Sequence, residues 1–208
     1  MPRSKAVDSD PIFSQGGEGD RNMENVMSDI RKNQEQIIYK AVKAESNANV
    51  AHEIVFGDGM PGKAESNPEW VKSTMHRLER HFESETIKKI RRNCQCGYGM
   101  DEKLKLVKEL MSDATNIDEF ASSKRAMAAG LFCRNGDLFL QFSVCSCPML
   151  IGIDKLEKNT WCQCTTGYSK VLFEQAFSCR VDVELLKSIK MGDDVCLMKI
   201  ILHDPVWS

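Results

Sequence analysis

The chain has 208 residues, of which 42% are hydrophobic and 28% are charged, and its net charge is −2. This length and composition are typical of one soluble globular domain with a short extension. The small net charge excludes the strongly basic character of most nucleic-acid-binding domains. No apolar stretch approaches the roughly 20 residues that a membrane-spanning helix requires, so we expect neither a nucleic-acid partner nor a membrane partner.

The first 20 residues are polar and rich in glycine, and they contain no apolar segment of the kind that signal peptides have. We expect residues 1–20 to be a disordered leader and the protein to be cytoplasmic. A reducing cytoplasm disfavours a static disulfide framework. The total of nine cysteines is odd, so any complete pairing would leave one thiol free.

Apolar residues recur at helical spacing from Met23 to Ile54, which predicts one long helix. Its apolar face is narrow, so this helix must pack either on the chain's own core or on a second copy, as a homodimer. A glycine-rich stretch at 57–62 then predicts a linker. These features divide the chain into the leader, a helix and linker at 21–62, and a main domain at 63–208.

The main domain is predicted to begin with helices. Apolar spacing indicates a helix that follows Pro68 and is broken near Ser84, where the serine would cap a new helix that runs to Cys94. A short helix is predicted around 104–110. The residues 116–119 resemble a capping box, which predicts a fourth helix up to position 129.

The last third of the chain has the pattern of β structure. Asn135-Gly136 lies between two apolar runs, which is the strongest short-range signal for a hairpin. A helix is predicted at 165–178, and strands are predicted at 181–185 and 195–202. The order β-β-α-β-β behind a helical N-terminal half predicts an α+β fold, with helices packed on an antiparallel sheet.

Six of the nine cysteines form three Cys-X-Cys pairs, which are Cys94 with Cys96, Cys145 with Cys147, and Cys162 with Cys164. In a strand, residues i and i+2 face the same side, so a hairpin carrying the second and third pairs would bring four sulfurs together. We predict that these four bind a metal ion, zinc in preference to an iron–sulfur cluster, with the first pair as auxiliary ligands. The alternative is that the thiols are reduced and packed in a sheet.

Cys164 also stands just before the predicted last helix. The free amides and positive partial charge of a helix N-terminus favour a thiolate, so we expect a lowered pKa for this thiol and regard it as a candidate nucleophile. Trp161 and Tyr168 flank the third pair and are candidate walls of a ligand pocket. The four histidines are far from the pairs in sequence and are expected to be structural or on the surface.

The C-terminal part resembles an uncharacterised bacterial cysteine-rich family in the stretches 145–147, 160–168, 173–174, 181–183 and 188–193 and at Cys196. That family looks related to the L-2-amino-thiazoline-4-carboxylic acid hydrolase-like group and is distantly similar to the 4-vinyl reductase domain. The resemblance implies an α+β domain that binds small or hydrophobic molecules and that, in some members, holds metal through cysteines. It adds Cys196, in a Gly-Asp-x-x-Cys ending, to the candidate ligand-binding residues.

Together these observations favour a cytoplasmic small-molecule-binding domain with a thiolate metal site. The alternative is a hydrolase that opens a small ring containing sulfur and nitrogen, with Cys164 as the nucleophile. A third hypothesis is a partner-binding module that dimerises through its N-terminal helix.

Overall fold

The computed structural model describes residues 20–57 and 65–203, with side chains from Met27 onward. The predicted leader up to residue 19 and most of the predicted linker lie outside the described residues. The helices are α1 (Asp20–Glu45), α2 (Ala48–Phe56), α3 (Asn67–His81), α4 (Ser84–Arg92), α5 (Met100–Ser112), α6 (Ile117–Ser122), α7 (Lys124–Ala128) and α8 (Gln163–Phe177). The strands are β1 (Leu131–Arg134), β2 (Asp137–Phe142), β3 (Arg180–Lys187) and β4 (Cys196–His203).

The four strands form one antiparallel sheet in the order β1-β2-β4-β3. Asn135 and Gly136 connect β1 to β2 with φ angles of 56° and 80°, as the predicted hairpin turn requires. Helices precede this sheet in the chain, and the α+β fold with an antiparallel sheet is confirmed. Among the described helices, none combines the length and the apolar character that crossing a membrane demands.

Helices α6, α7 and α8 pack on the sheet and α5 packs on α8, and the apolar residues among these elements form what we call the sheet core. Leu138 and Leu140 on β2 contribute from the sheet, as do Val181 and Val183 on β3, where burial alternates as in a half-buried strand. Phe120 and Phe177 meet edge to face, with ring centroids 5.3 Å apart. These aromatic contacts fix α6 against α8.

A second apolar cluster, which we call the helix core, lies among α1 to α4 and includes residues from the loop between β2 and α8. Its largest members are Trp70 and Trp161, whose rings pack at 88° with centroids 5.8 Å apart. Ile38 and Val42 of α1 are fully buried in it. The N-terminal helix therefore packs on the chain's own core, the first of the two predicted alternatives, and the homodimer stays a prediction.

Two predicted helices are each divided in the structure. The single helix expected over 23–54 is wrong, because α1 ends at Glu45 and the side chain of Asn47 caps α2 by accepting from the backbone N–H groups of Asn49 and Val50. A polar cap residue inside an apolar pattern restarts the helix at a new angle. The helix expected over 116–129 divides in the same way at Ser123, which caps α7.

The break predicted near Ser84 is confirmed, since α3 ends at His81 and α4 begins at Ser84. The predicted cap is wrong: the N-cap position is Glu83, and its side chain makes no capping bond. At the stretch predicted to resemble a capping box, Asn116 caps α6 by accepting from the backbone N–H of Glu119. A further capping box lies at the start of α3, where Ser66 and Glu69 bond reciprocally to each other's backbone.

Helix α8 touches both cores and so connects the two halves of the molecule. It passes α4 at Gly167, where a Cβ atom would overlap the carbonyl oxygen of Arg92. Only glycine permits this approach. The Arg92 side chain strengthens the contact by donating from Nε to Oε1 of Gln163, at 3.3 Å. The close crossing brings the end of α4, and with it the first cysteine pair, up to Cys164.

Candidate functional site

None of the three Cys-X-Cys pairs lies in a strand, contrary to the geometry that the sequence suggested. The first pair follows the end of α4, and the second occupies the loop after β2, just before a single 3-10 turn at Pro148–Leu150. The third pair opens α8: Cys162 is its N-cap and Cys164 is its second residue. Residues two apart on a helix point roughly 200° away from each other, so Cys162 and Cys164 face different neighbours.

Tertiary packing nevertheless gathers seven of the nine cysteines where the end of α4 meets the start of α8. We call this group the thiol cluster; its members are Cys94, Cys96, Cys145, Cys147, Cys162, Cys164 and Cys196. Each of them is close enough to another member for ionisation of one thiol to disfavour ionisation of its neighbour. The two remaining cysteines, Cys133 and Cys179, pack against the sheet core.

Cys164 is held by polar groups of two other elements. Its Sγ lies 2.7 Å from the carbonyl oxygen of Cys94, to which the thiol donates, and 4.0 Å from Nε2 of Gln34 on α1. Burial raises the pKa of the Cys164 thiol, and the nearby Arg91 guanidinium only partly opposes that rise. The predicted lowering of this pKa is therefore wrong, because desolvation of the sulfur outweighs its position in the first turn of α8.

Other thiols of the cluster are also poor acids. Burial raises the pKa of Cys147 to about 12, and the neighbouring Cys164 and Cys145 thiols add to the rise. Burial likewise raises the pKa of Cys94 to about 11 and that of Cys162 to about 11. At neutral pH these thiols are protonated, and their ionisation is unfavourable.

At the centre of the thiol cluster lies Arg91, which has no exposed surface. Its guanidinium carbon sits 3.8 Å above the Trp161 ring. Nη1 donates to Oε1 of Gln34 at 3.2 Å, and Nη2 donates to the carbonyl oxygen of Trp161 at 3.4 Å. Within the described part of the chain, Nε has no hydrogen-bond partner and no carboxylate pairs with this guanidinium.

A buried cation without an anionic partner is costly, so Arg91 demands a physical explanation. Sequence reasoning missed this residue and also missed Gln34. Both had a readable signal: Arg91 continues the buried stripe of Ile87 and Ile90 at positions i, i+3 and i+4, and Gln34 lies between Ile30 and Ile38 on the buried stripe of α1.

The predicted metal quartet is not preassembled. Across residues 20–57 and 65–203, no three histidine, cysteine or carboxylate side chains are placed as ligands of one ion. The reason is visible in the hydrogen bonds, because Cys164 donates to a backbone carbonyl while Cys162 turns to the hydroxyl of Ser188, 3.5 Å away. Binding by these residues requires rotation of their thiols, and the metal site stays a prediction.

The predicted pocket walls belong to the interior. Trp161 is 1% exposed and Tyr168 is 9% exposed. The Tyr168 hydroxyl donates to the backbone carbonyl of Tyr98 at 3.0 Å. These rings pack the core and do not line an open pocket. Cys196 is half-buried at the start of β4, and its Sγ accepts from the backbone N–H of Ile189 at 3.5 Å.

An open cleft does reach the thiol cluster at the second pair. It has a volume of about 400 Å³, and its walls include Cys145, Cys147, Ile189 and two exposed apolar residues, Val144 and Ile151. The apolar side chains around two thiols give this cleft the character of a small-ligand site. The cysteine pair in this loop was singled out from the sequence, but the cleft was not predicted, because it forms only where the loop meets Ile189, which is distant in the chain.

In the described part of the chain, the histidines that hydrogen-bond to a carboxylate do so away from the thiol cluster. His81 bonds to Glu53 at 3.0 Å and His203 bonds to Asp182 at 2.8 Å, both at the surface. The groups that contact the Cys164 sulfur are a carbonyl, amides and the arginine, none of which accepts a proton at neutral pH. Among the described residues, no histidine or carboxylate is hydrogen-bonded to the Cys164 sulfur, and the hydrolase alternative stays a prediction.

The fold and the site define a class: an α+β domain in which seven cysteines lie near a buried arginine that has no carboxylate partner among the described residues. Residues 27–207 match the family described as "Family of unknown function (DUF6144)", and the chain belongs to that family. No curated protein and no solved structure matches the chain at a significant level. The predicted relation to the 2-amino-thiazoline-carboxylate hydrolase-like group and to the 4-vinyl reductase domain stays a prediction.

Proposed function

We propose that this protein is a cytoplasmic small-molecule-binding domain that holds zinc through thiolates of the thiol cluster. The observation that carries the proposal is Arg91, a fully buried cation that lies near several thiols and has no carboxylate partner in the described part of the chain.

An anion close to Arg91 would remove the cost of burying its charge. Thiol sulfurs are the nearby groups that could become anions. The positive charge of Arg91 lowers the pKa values of four of them, against the larger effect of burial: Cys94, Cys147, Cys162 and Cys164. The proton affinity of these thiols keeps them neutral without an ion. A zinc ion replaces the protons and bonds thiolates directly, and four thiolates around one zinc carry a net negative charge that Arg91 offsets.

The donor set fits zinc because soft thiolate sulfur is a preferred ligand of Zn²⁺. The hydrogen bonds that now occupy the thiols are single contacts to a carbonyl or a hydroxyl. Rotation about χ1 releases them, and the Cys94 carbonyl keeps the 3.0 Å hydrogen bond from Gln34 after Cys164 turns away. Metal binding thus leaves that backbone oxygen partnered.

The cleft beside Cys145 and Cys147 supplies the small-molecule part of the proposal. Its volume of about 400 Å³ suits a compact ligand, and Val144 and Ile151 offer apolar contact at the entrance, with 50% and 64% of their surface exposed. A ligand in this cleft would lie against two of the sulfurs. Such a position permits contact with a metal bound there.

The test is metal analysis of protein purified under reducing conditions without a chelator. We expect zinc in stoichiometric amount, no reaction of the bound thiols with a thiol reagent until a chelator is added, and loss of most zinc affinity in Arg91→Met. Arg125→Met, which removes an exposed arginine paired with Glu109, is the matched control and should retain zinc. Metal-free protein with all nine thiols titrating freely after zinc addition would refute the proposal.

A further inference from the structure

The cleft that exposes Cys145 is formed by two segments, the loop that follows β2 and the segment that follows β3. Two hydrogen bonds of Lys190 hold these segments together. The backbone N–H of Leu156 donates to the Lys190 carbonyl at 2.8 Å, and the Lys190 ammonium donates to the Ile153 carbonyl. Lys190 lines the cleft, and the second bond gives its side chain a defined position before any ligand binds.

The charges of the cleft wall are unequally compensated. Two charged residues line the cleft, Lys190 and Asp194. Asp194 has a cation beside it, since Nζ of Lys187 lies 3.3 Å from its Oδ1. Lys190 has no such counter-ion: across 20–57 and 65–203 no carboxylate forms an ion pair with its ammonium, and the hydrogen bond of that ammonium goes to a neutral carbonyl. A lysine ammonium has three donors, so two are left for an anionic ligand.

The rest of the cleft wall is mostly apolar. Val144 and Ile151 are exposed, and Leu150 and Ile189 add further aliphatic surface. An apolar ligand group that covers such side chains removes apolar area from water, which favours binding. The wall therefore combines one uncompensated cation with several aliphatic contacts, and a matching ligand combines one negative charge with an apolar body.

The number of charges in the wall distinguishes among anions. A phosphate group carries close to two negative charges and is usually held by several backbone N–H groups or by arginine. Asp194 in the same wall would oppose the second of those charges. A carboxylate carries one charge, which one ammonium balances. The cleft volume of about 400 Å³ lies near the lower end of the range of ligand pockets, roughly 300–1,000 Å³, so the ligand is compact.

We infer that the cleft binds a small aliphatic carboxylic acid as its anion, with the carboxylate on the Lys190 ammonium and the apolar body against Val144, Ile151 and Ile189. This inference rests on the small-molecule part of the proposed function and names the class of ligand. It requires no metal ion, so it can be tested on the metal-free chain.

The test uses hexanoate as the probe, in isothermal titration calorimetry on the reduced, metal-free full-length chain at pH 7. We expect saturable binding of one hexanoate per chain. The affinity should rise from butanoate to hexanoate by up to about fourfold per added methylene group, the value for a fully buried group. Hexanamide, which has the same body without the charge, should bind about tenfold more weakly. Hexylammonium, which has the opposite charge, should not bind.

Alkylation of the thiols locates the bound probe. Cys145 lines the cleft, whereas Cys133 packs against the sheet core. Saturating hexanoate should slow the reaction of Cys145 with iodoacetamide, followed by mass spectrometry of the peptides, and should leave the reaction of Cys133 unchanged. Hexanoate binding without protection of Cys145 would place the probe elsewhere and overturn the inference.

Variants separate the charge of the wall from its apolar surface. Lys190→Gln keeps a donor for the Ile153 carbonyl but removes the charge, and it should weaken hexanoate binding about tenfold while hexanamide binding stays unchanged. Lys190→Arg should retain most of the affinity. Lys155→Met removes an exposed lysine of the same loop that does not line the cleft, and this control should bind hexanoate as the wild type does.

The apolar part of the ligand is tested in the same way. Ile151→Ser should reduce the gain in affinity per methylene group, and Met127→Ser, which changes an exposed apolar residue of α7, should leave that gain unchanged. Circular dichroism establishes that every variant is folded.

The outcomes distinguish this inference from the function on which it rests, because zinc content is measured separately, on protein purified without a chelator. Equal affinity for hexanoate and hexanamide, or unchanged hexanoate affinity in Lys190→Gln, overturns the carboxylate ligand. If no probe binds to a chain that does hold zinc, the inference falls and the zinc part of the proposed function stands. Hexanoate binding by a chain that holds no zinc supports the inference and overturns the zinc part.

Discussion

The sheet core and the helix core are built from the same kinds of apolar side chain, but only one of them contains a charge. The sheet core packs phenylalanine, leucine and valine between α8 and the strands. The helix core packs two tryptophans and several isoleucines around Gln34 and Arg91 and against most of the thiols. Well-packed apolar groups would serve stability at least as well as a buried ion. We therefore expect the sheet core to hold the fold together and the proposed zinc binding to depend on the helix core.

The largest expected effect is a response to pH, to which the helix core contributes the three thiols Cys94, Cys147 and Cys162, while the sheet core contributes Cys133, whose pKa burial raises to about 11. Thiols ordinarily ionise near pH 9.0, whereas Cys94 and Cys162 in the folded chain have a pKa of about 11 and Cys147 of about 12. The folded state therefore keeps protons that the unfolded state loses. The stability that these protonated thiols contribute is fully present below pH 9.0 and is lost as the pH rises toward 11. Over that range each thiol can shift the unfolding equilibrium toward the unfolded state by up to about tenfold per pH unit.

Urea unfolding of chelator-treated, reduced protein at a series of pH values measures this loss, with far-ultraviolet circular dichroism as the signal. The zinc-loaded protein is the control, since its thiolates are already formed; it should keep its stability at high pH and lose it in acid as protons displace the metal. A flat unfolding midpoint between pH 9 and 11 in the metal-free protein would contradict the buried, neutral thiols.

Phe177→Ala is expected to have the next largest effect, and only on stability. Its ring is fully buried and packs against Phe120 and Phe173, so truncation leaves a cavity in the sheet core. We expect a loss of about 3–5 kcal/mol in the free energy of unfolding, measured by urea denaturation. Zinc content should remain that of the wild type as long as the chain is folded. Loss of zinc from folded Phe177→Ala would show that the two cores do not act separately.

Gly167→Ala changes the contact between α4 and α8, through which the two cores are connected. The added methyl group would overlap the Arg92 carbonyl oxygen and force α4 away from α8. Arg91 and Cys94 would move together with α4. We expect a destabilisation of about 1–3 kcal/mol and a clear loss of zinc affinity. Unfolding and zinc competition with a chromophoric chelator measure the two effects. Ala176→Gly, a change on the same helix facing the sheet core, is the control and should lower stability while zinc affinity stays unchanged.

Sequence patterns located the sheet core well because local rules determine it. The Asn135-Gly136 turn, the alternation in β3 and the apolar face of α8 each act over a few residues, and all three were predicted. The thiol cluster depends instead on contacts between α1, α4 and α8, which are distant in sequence. The spacing of Cys-X-Cys suggested strands, but the third pair lies at a helix start, where the same spacing directs the two sulfurs apart.

The smallest expected effects come from a matched pair of tight turns, one beside each core. Asn135 and Gly97 have φ angles of 56° and 69°, and a Cβ atom at Gly97 would meet no other atom within 4 Å. Replacing either residue by alanine should therefore cost about 1 kcal/mol through backbone strain alone.

The zinc affinities should differ, because Gly97 directly follows Cys96 while Asn135 is in the β1–β2 turn. Asn135→Ala should bind zinc as the wild type does, and Gly97→Ala should bind it more weakly at equal stability. Equal zinc affinity in the two variants would mean that the first cysteine pair contributes no ligand, which would confine the metal to the second and third pairs.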